Sequence, residues 1–297
     1  MLRISNAPTV VSQVLSGAAV GCYALPAGTT LPLGALVLVL VGVPLSYLAG
    51  MILNDVFDAQ VDATERPDRP IPSGRISLFI ARFVGVSMLL IGISMLAVAS
   101  PATLPWAIVL GVCILAYDVL HTLSAASFVL MASCRGLVPV IAAFAMTSNA
   151  DWSILSWTAG AAFAFIAAVS IAARNEMTGF GLIARVAAWS LPVAACAPLG
   201  MWGAVAIDPG GALLGSVAVG ASLLAAYLVV VGIRTASKPE SPRAVPRAVP
   251  LAVAMWIGAM PAIDAATCFL LGSPTLGALC LGMLMLSRAL RPRFAGS

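Results

Sequence analysis

Residues 31–62 read LPLGALVLVLVGVPLSYLAGMILNDVFDAQVD. From Leu31 to Leu53 no charged residue occurs. A run of about 20 apolar residues is what a helix needs to cross a hydrocarbon core roughly 30 Å thick. The run does not alternate apolar and polar, as a membrane barrel strand must. It stops at Asn54, and Asp55, Asp58 and Asp62 follow at helical spacing. One stretch therefore supplies a membrane-spanning helix and a concentration of carboxylates at its end.

The rest of the chain follows the same pattern. Of 297 residues, 61% are hydrophobic and 9% charged, against about 25% charged in an average soluble domain. Mean hydropathy is +1.07. This composition excludes a soluble globular protein, a disordered chain and a nucleic-acid binder. Apolar segments fall near 9–27, 31–53, 76–99, 103–120, 125–147, 153–173, 183–206 and 211–233. The stretch 250–290 is too long for one crossing, and Gly272-Ser273-Pro274 divides it into 250–271 and 275–290. The fold class is an all-α polytopic membrane protein of nine to ten transmembrane helices, organised as one domain over residues 1–297.

Charge placement orients the chain. With the N-terminus inside, the cytoplasmic loops hold Arg66, Arg69 and Arg75, then Arg174 and Arg185, then Arg234, Lys238, Arg243 and Arg247. The tail adds Arg288, Arg291 and Arg293, while the outer loops hold Asp151 and Asp208. Positive-inside placement favours an even number of crossings with both termini cytoplasmic. We expect an integral protein of a bacterial inner membrane. All six cysteines lie inside apolar runs and read as small core residues. Segment 9–27, which carries Ser12, Gln13 and Ser16, reads as a retained helix and not as a cleaved leader. Its Gly17-x-x-x-Gly21 reads as a face for close helix packing.

At about 100° per residue, Asn54, Asp55, Asp58 and Asp62 share one helix face. Like charges at this spacing repel, and the repulsion grows where the dielectric constant falls. A divalent cation removes it, and an all-oxygen donor set with room for phosphate oxygens suits Mg²⁺. Arg66, Arg69 and Arg75 follow at once and could bind phosphate oxygens beside the metal. Ordinary positive-inside charge accounts equally for Arg66 and Arg75.

Asn54-Asp55-x-x-Asp58-x-x-x-Asp62, followed by Arg69-Pro70-Ile71-Pro72-Ser73-Gly74-Arg75-Ile76-Ser77, resembles the first aspartate-rich motif of the UbiA superfamily of intramembrane prenyltransferases. The opening Leu2-Arg3-Ile4-Ser5-Asn6-Ala7-Pro8 is similar to the way those proteins enter their first helix. The resemblance implies a helical bundle around a lipid-open cavity. It also implies a Mg²⁺-bound prenyl diphosphate and transfer of the prenyl group to a small acceptor. Asp55, Asp58 and Asp62 would then hold the metal, with Asn54 and Arg69 on the substrate.

Other positions depart from that pattern. Where a second acidic motif is expected, Ala173-Arg174-Asn175-Glu176-Met177-Thr178-Gly179 supplies one carboxylate. Glu176 is a candidate metal ligand or an exposed loop acid, and Arg174 a candidate for the diphosphate. Tyr117-Asp118-Val119-Leu120-His121 and Ser133-Cys134-Arg135-Gly136 resemble an EboC-like branch of the superfamily, which is associated with secondary-metabolite gene clusters. Asp118 and His121 share a helix face and form a candidate acid–base pair for deprotonating the acceptor, or structural contacts at a helix end. Arg135 lies within an apolar helix, where a lone charged Arg costs at least about 2.5–3.5 kcal/mol. It reads as a ligand for diphosphate or carboxylate, or as the ion-pair partner of Asp118. Asp264, inside the ninth segment, has no role beyond pairing. The expected activity is prenyl transfer to an aromatic or other small acceptor, in secondary-metabolite or lipid-quinone-type biosynthesis. The alternatives are a non-catalytic relative that binds or translocates a prenylated precursor, and a secondary transporter. A transporter would place its charges near the bilayer midplane.

Overall fold

The structure is a computed structural model and describes residues 6–26, 28–121, 127–173, 182–201, 211–236 and 248–294. All of its regular structure among these residues is helical. The helices are α1 (Ala7–Tyr23), α2 (Leu33–Phe57), the short α3 (Ala59–Glu65), α4 (Leu78–Ala99), α5 (Leu104–Leu120) and α6 (Ser127–Met146). They continue with α7 (Trp152–Ala173), α8 (Leu182–Ala195), α9 (Gly211–Ala236), α10 (Ala248–Ile257), α11 (Met260–Leu270) and α12 (Pro274–Phe294). Among the described residues, seven spans are long and apolar enough to cross a membrane, while α1, α8 and the apolar part of α12, Pro274–Leu290, are shorter.

Two expected segments are broken. Segment 250–271 divides into α10 and α11 at Gly258-Ala259. Segment 183–206 stops as an α-helix at Ala195, three residues after Pro192, and passes into a 3₁₀ turn over Ala197–Met201. The proline removes one ladder hydrogen bond and crowds the preceding turn. Elsewhere the expected breaks hold. Gly272 takes a φ of +68°, open to glycine without strain, and the Ser273 amide closes back on the Cys268 carbonyl at 2.9 Å. At the start of α7, the Ser153 hydroxyl and amide donate to Asp151 Oδ1 at 2.6 and 2.8 Å. These bonds hold the Asp151 carboxyl below the usual range.

Burial separates the inner helices from the outer ones. All eleven residues of α11 are buried. Thirteen of the 17 residues of α1 are buried too, so both are central. In α4 only Ala81, Gly85, Leu89, Gly92 and Leu96 are buried, a single stripe at spacings of three and four that lies along α2. Its other side exposes Phe79, Phe83 and Leu90, as a helix facing acyl chains would.

Candidate functional site

The carboxylate segment forms a bent helix end. α2 closes at Phe57, Asp58 adopts φ −78° and ψ −6°, and α3 resumes at Ala59. The bend is slight, because the Asp58 amide reaches the Asn54 carbonyl at 2.9 Å and the Asp62 amide reaches the Asp58 carbonyl at 2.8 Å. The four polar residues therefore stay near one side, as their spacing predicts.

The following loop then folds back on them. The Arg69 amide donates to the Arg66 carbonyl, and the Ser73 amide to the Arg69 carbonyl at 2.9 Å. Gly74 turns the chain at φ +74°, and Ser77 caps α4 by accepting from the Ile80 amide at 3.2 Å. This compact turn brings Arg69 Nη1 to 2.5 Å from Asp62 Oδ2 and 3.6 Å from Asp55 Oδ1. Arg75 stays within the loop, donating to the Ser73 hydroxyl at 3.0 Å and to the Asp68 carbonyl.

The end of α5 closes the other side. His121 Nε2 lies 3.1 Å from Asp58 Oδ1, its Nδ1 lies 3.0 Å from the Asp118 carbonyl oxygen, and its ring stacks on Tyr117. The C-terminal ends of α2 and α5 thus meet at one end of the bundle. Asn54 and Asp118 are neighbours. Asn54 Nδ2 and Asp118 Oδ2 are buried there without a hydrogen-bond partner.

These contacts revise three expectations. The aspartates are not left to repel one another: Arg69 neutralises Asp55 and Asp62, and His121 engages Asp58. His121 does not pair with the Asp118 side chain; it binds that residue's carbonyl, because residues three apart at a helix end bring the imidazole over the backbone. Arg135 does not pair with Asp118 either. Its guanidinium donates to Gln13 Oε1 at 2.7 Å and Thr9 Oγ1 at 2.9 Å, and lies over the Tyr47 ring.

Sequence reading missed what Arg135 belongs to. Thr9, Ser12, Gln13 and Ser16 form a fully buried polar stripe on α1. Thr9 and Gln13 face Arg135, and the Ser12 and Ser16 hydroxyls donate to Asp264 at 2.5 and 3.0 Å. The spacing i, i+3, i+4, i+7 of polar residues in an apolar helix was the available signal. Asp264 also lines a small cleft between α7, α11 and the 3₁₀ turn, which shares no residue with the carboxylate cluster. Arg174 and Glu176 lie outside the described residues.

A Mg²⁺ ion fits the chemistry of the α2 end better than its present geometry. Asp55, Asp58, Asp62 and Asp118 offer hard oxygen donors, and Asp118 Oδ2 has no partner. Yet among the described residues no three acidic, histidine or cysteine side chains converge on a point that could hold a metal. The carboxylates face Arg69 and His121 instead.

Fold and site together define a membrane-embedded helical bundle with a charge-compensated acidic cluster at one end. The chain belongs to the UbiA prenyltransferase family, which matches residues 14–242. It is 46% identical over 72 residues to the digeranylgeranylglyceryl phosphate synthase of Methanopyrus kandleri, covering 24% of this chain and 26% of that one. To the synthase of the same name from Methanoregula boonei it is 39% identical over 99 residues, 33% and 35% of the two chains. The matched stretches thus span about a quarter to a third of these curated relatives. These relatives are named as synthases and not as EboC-like proteins.

Solved structures of UbiA homologues share the fold. The apo homologue from Aeropyrum pernix K1 aligns over 96% of this chain and all of its own, with a TM-score of 0.59 at 16% identity. The Archaeoglobus fulgidus homologue bound to GPP and Mg²⁺ aligns over 89% and 99%, with a TM-score of 0.54 at 16% identity.

Proposed function

We propose that this protein transfers a prenyl group, within the membrane, from a Mg²⁺-bound prenyl diphosphate to a small acceptor. The observation that carries the proposal is the gathering of Asn54, Asp55, Asp58, Asp62 and Arg69 at one helix end, met by Asp118 and His121. Asp55, Asp58 and Asp62 would hold the metal, with Asn54 beside them. When bound, Mg²⁺ neutralises charge on a departing diphosphate. Arg69 offers a planar fork of donors to phosphate oxygens, and Arg174 adds a second guanidinium. The apolar interior keeps water from the allylic carbon. Asp118 Oδ2, buried and unpartnered, takes the proton that the acceptor loses, with His121 next to it. Arg135 stands on the α1 stripe, where its guanidinium would meet a carboxylate or phosphate on the acceptor.

Support also comes from family membership and from the A. fulgidus homologue that binds GPP with Mg²⁺. The relatives' name describes a glyceryl phosphate carrying two geranylgeranyl groups. A prenylated glyceryl phosphate therefore joins aromatic compounds among the acceptors to test. The deciding experiment incubates purified protein with labelled prenyl diphosphates of graded length and both acceptor classes, with and without Mg²⁺. Mg²⁺-dependent product is expected. Tight diphosphate binding without product from any combination favours the non-catalytic reading.

The acidic cluster lies on the cytoplasmic side in this proposal, with both termini. A reporter that is active only outside the membrane should stay silent when fused after Ser297. Activity there overturns the even number of crossings.

The thinned second motif gives a further expectation. A fixed guanidinium can stabilise a leaving diphosphate without a cation, so Arg174→Ala should reduce turnover more than Glu176→Gln. Added Mg²⁺ should restore part of the Glu176→Gln activity by mass action and none of the Arg174→Ala activity. Wild-type turnover in both variants removes this loop from the site.

A further inference from the structure

We infer that Arg69 is a built-in counter-ion that holds the metal site closed, so that the protein takes up Mg²⁺ only together with its diphosphate. The inference rests on the prenyl diphosphate reading above. A single nitrogen, Arg69 Nη1, stands 2.5 Å from Asp62 and 3.6 Å from Asp55, between two of the carboxylates that a cation would use. Asp62 is buried, and its side chain is only 6% exposed. Its charge cannot be left to solvent, because an unpaired buried carboxylate is strongly disfavoured. Arg69 is the less buried partner, at 30% exposure. It can therefore move while the aspartate stays.

Mg²⁺ alone meets an unfavourable exchange at this site. It must displace a guanidinium already paired with two carboxylates, and it must leave that guanidinium without an anion. A metal–diphosphate complex meets a different exchange. The metal takes the carboxylates while the phosphate oxygens take Arg69, so every charge keeps an opposite partner. The substrate of the resting protein is then the preformed complex, and neither free metal nor free diphosphate binds well by itself. Free diphosphate would bring its negative charge towards Asp55, Asp58 and Asp62 with no cation between them.

The test titrates Mn²⁺, as a stand-in for Mg²⁺, into the full-length protein in detergent and follows the free ion by electron paramagnetic resonance. Titrations are run with and without geranyl S-thiolodiphosphate. Wild type is expected to bind Mn²⁺ weakly alone and at least tenfold more tightly with the analogue. Arg69→Ala should bind Mn²⁺ alone about tenfold more tightly than wild type, because the buried Asp62 carboxylate loses its close counter-charge and Asp55 loses the guanidinium's pull. It should lose most of the gain from the analogue. Arg69→Lys keeps the charge and should behave like wild type for metal alone. Arg75→Ala removes the same charge from the same loop but touches none of the carboxylates, and should change metal affinity less than twofold. Equal gains in Arg69→Ala and Arg75→Ala reduce the effect to net charge and overturn the inference. If Arg69→Ala does not fold, wild type decides alone: equal Mn²⁺ affinity with and without the analogue overturns it. A wild type that binds no Mn²⁺ even with the analogue overturns the prenyl diphosphate reading, and the closed site with it.

Discussion

Asp55→Asn and Asp58→Asn are each expected to abolish Mg²⁺-dependent prenyl diphosphate binding while leaving the protein folded. Both substitutions keep the shape of the side chain and remove one negative charge. An amide oxygen is a poorer donor to a hard cation than a carboxylate, and its nitrogen offers none. Affinity should fall by at least about a hundredfold, the upper range seen even for groups that only support metal ligands. The fold should survive because both side chains lie at the bundle's edge, 17% and 19% exposed. The two variants differ in one respect. Asp55→Asn weakens one of two anchors on Arg69, whereas Asp58→Asn replaces the carboxyl group that faces His121. Binding of labelled geranyl diphosphate with and without Mg²⁺ measures the loss, and the thermal midpoint in detergent checks the fold. Unchanged binding in both variants sinks the assignment of this helix end.

Much of the site was legible because the bilayer restricts what a sequence can mean. Charges are scarce in this chain, so three aspartates at helical spacing directly after an apolar run could be read as a cluster at a helix end. Their partners could not be read. Arg69 reaches Asp55 and Asp62 only because the turn at Gly74 folds the loop back, and helical spacing says nothing about a loop's path. His121 reaches Asp58 only because α5 packs beside α2, a contact between segments some sixty residues apart. Arg135 shows the same limit. Its cost in an apolar helix was plain, but its partners lie on α1, more than 120 residues away. The helix count was legible for the opposite reason, since apolar length is a local property. What it did not foresee is the interruption of helical continuity within an apolar stretch at α8 and at the α10–α11 junction, although Pro250–Leu270 still counts as one span.

Gly17→Val is expected to destabilise the whole bundle, far beyond its change in size. A Cβ at Gly17 would lie 2.5 Å from both Pro139 Cα and Pro139 O, and 2.8 Å from Ala142 Cβ. One turn further on, a Cβ at Gly21 would lie 2.6 Å from the Ala143 carbonyl oxygen. These neighbours are mostly backbone and cannot rotate away, so α1 and α6 must separate. Overpacking of this kind costs about 1–3 kcal/mol where a core can adjust. Here the adjustment has its own cost. α1 also holds Arg135 through Thr9 and Gln13, and Asp264 through Ser12 and Ser16. Moving the helix loosens these hydrogen bonds, worth roughly 0.5–1.5 kcal/mol each and more to the Arg135 guanidinium. Gly160→Ala and Gly220→Ala are the matched controls, because a Cβ at either position meets nothing within 4 Å. Those changes should leave stability unchanged or raise it by about 0.4–1 kcal/mol through the lost freedom of the unfolded chain. Size-exclusion profiles after heating in detergent separate the outcomes. A Gly17→Val protein that survives heating as wild type does would mean that α1 and α6 do not make this close contact. The polar stripe would then lack the fixed register that brings it to both Arg135 and Asp264.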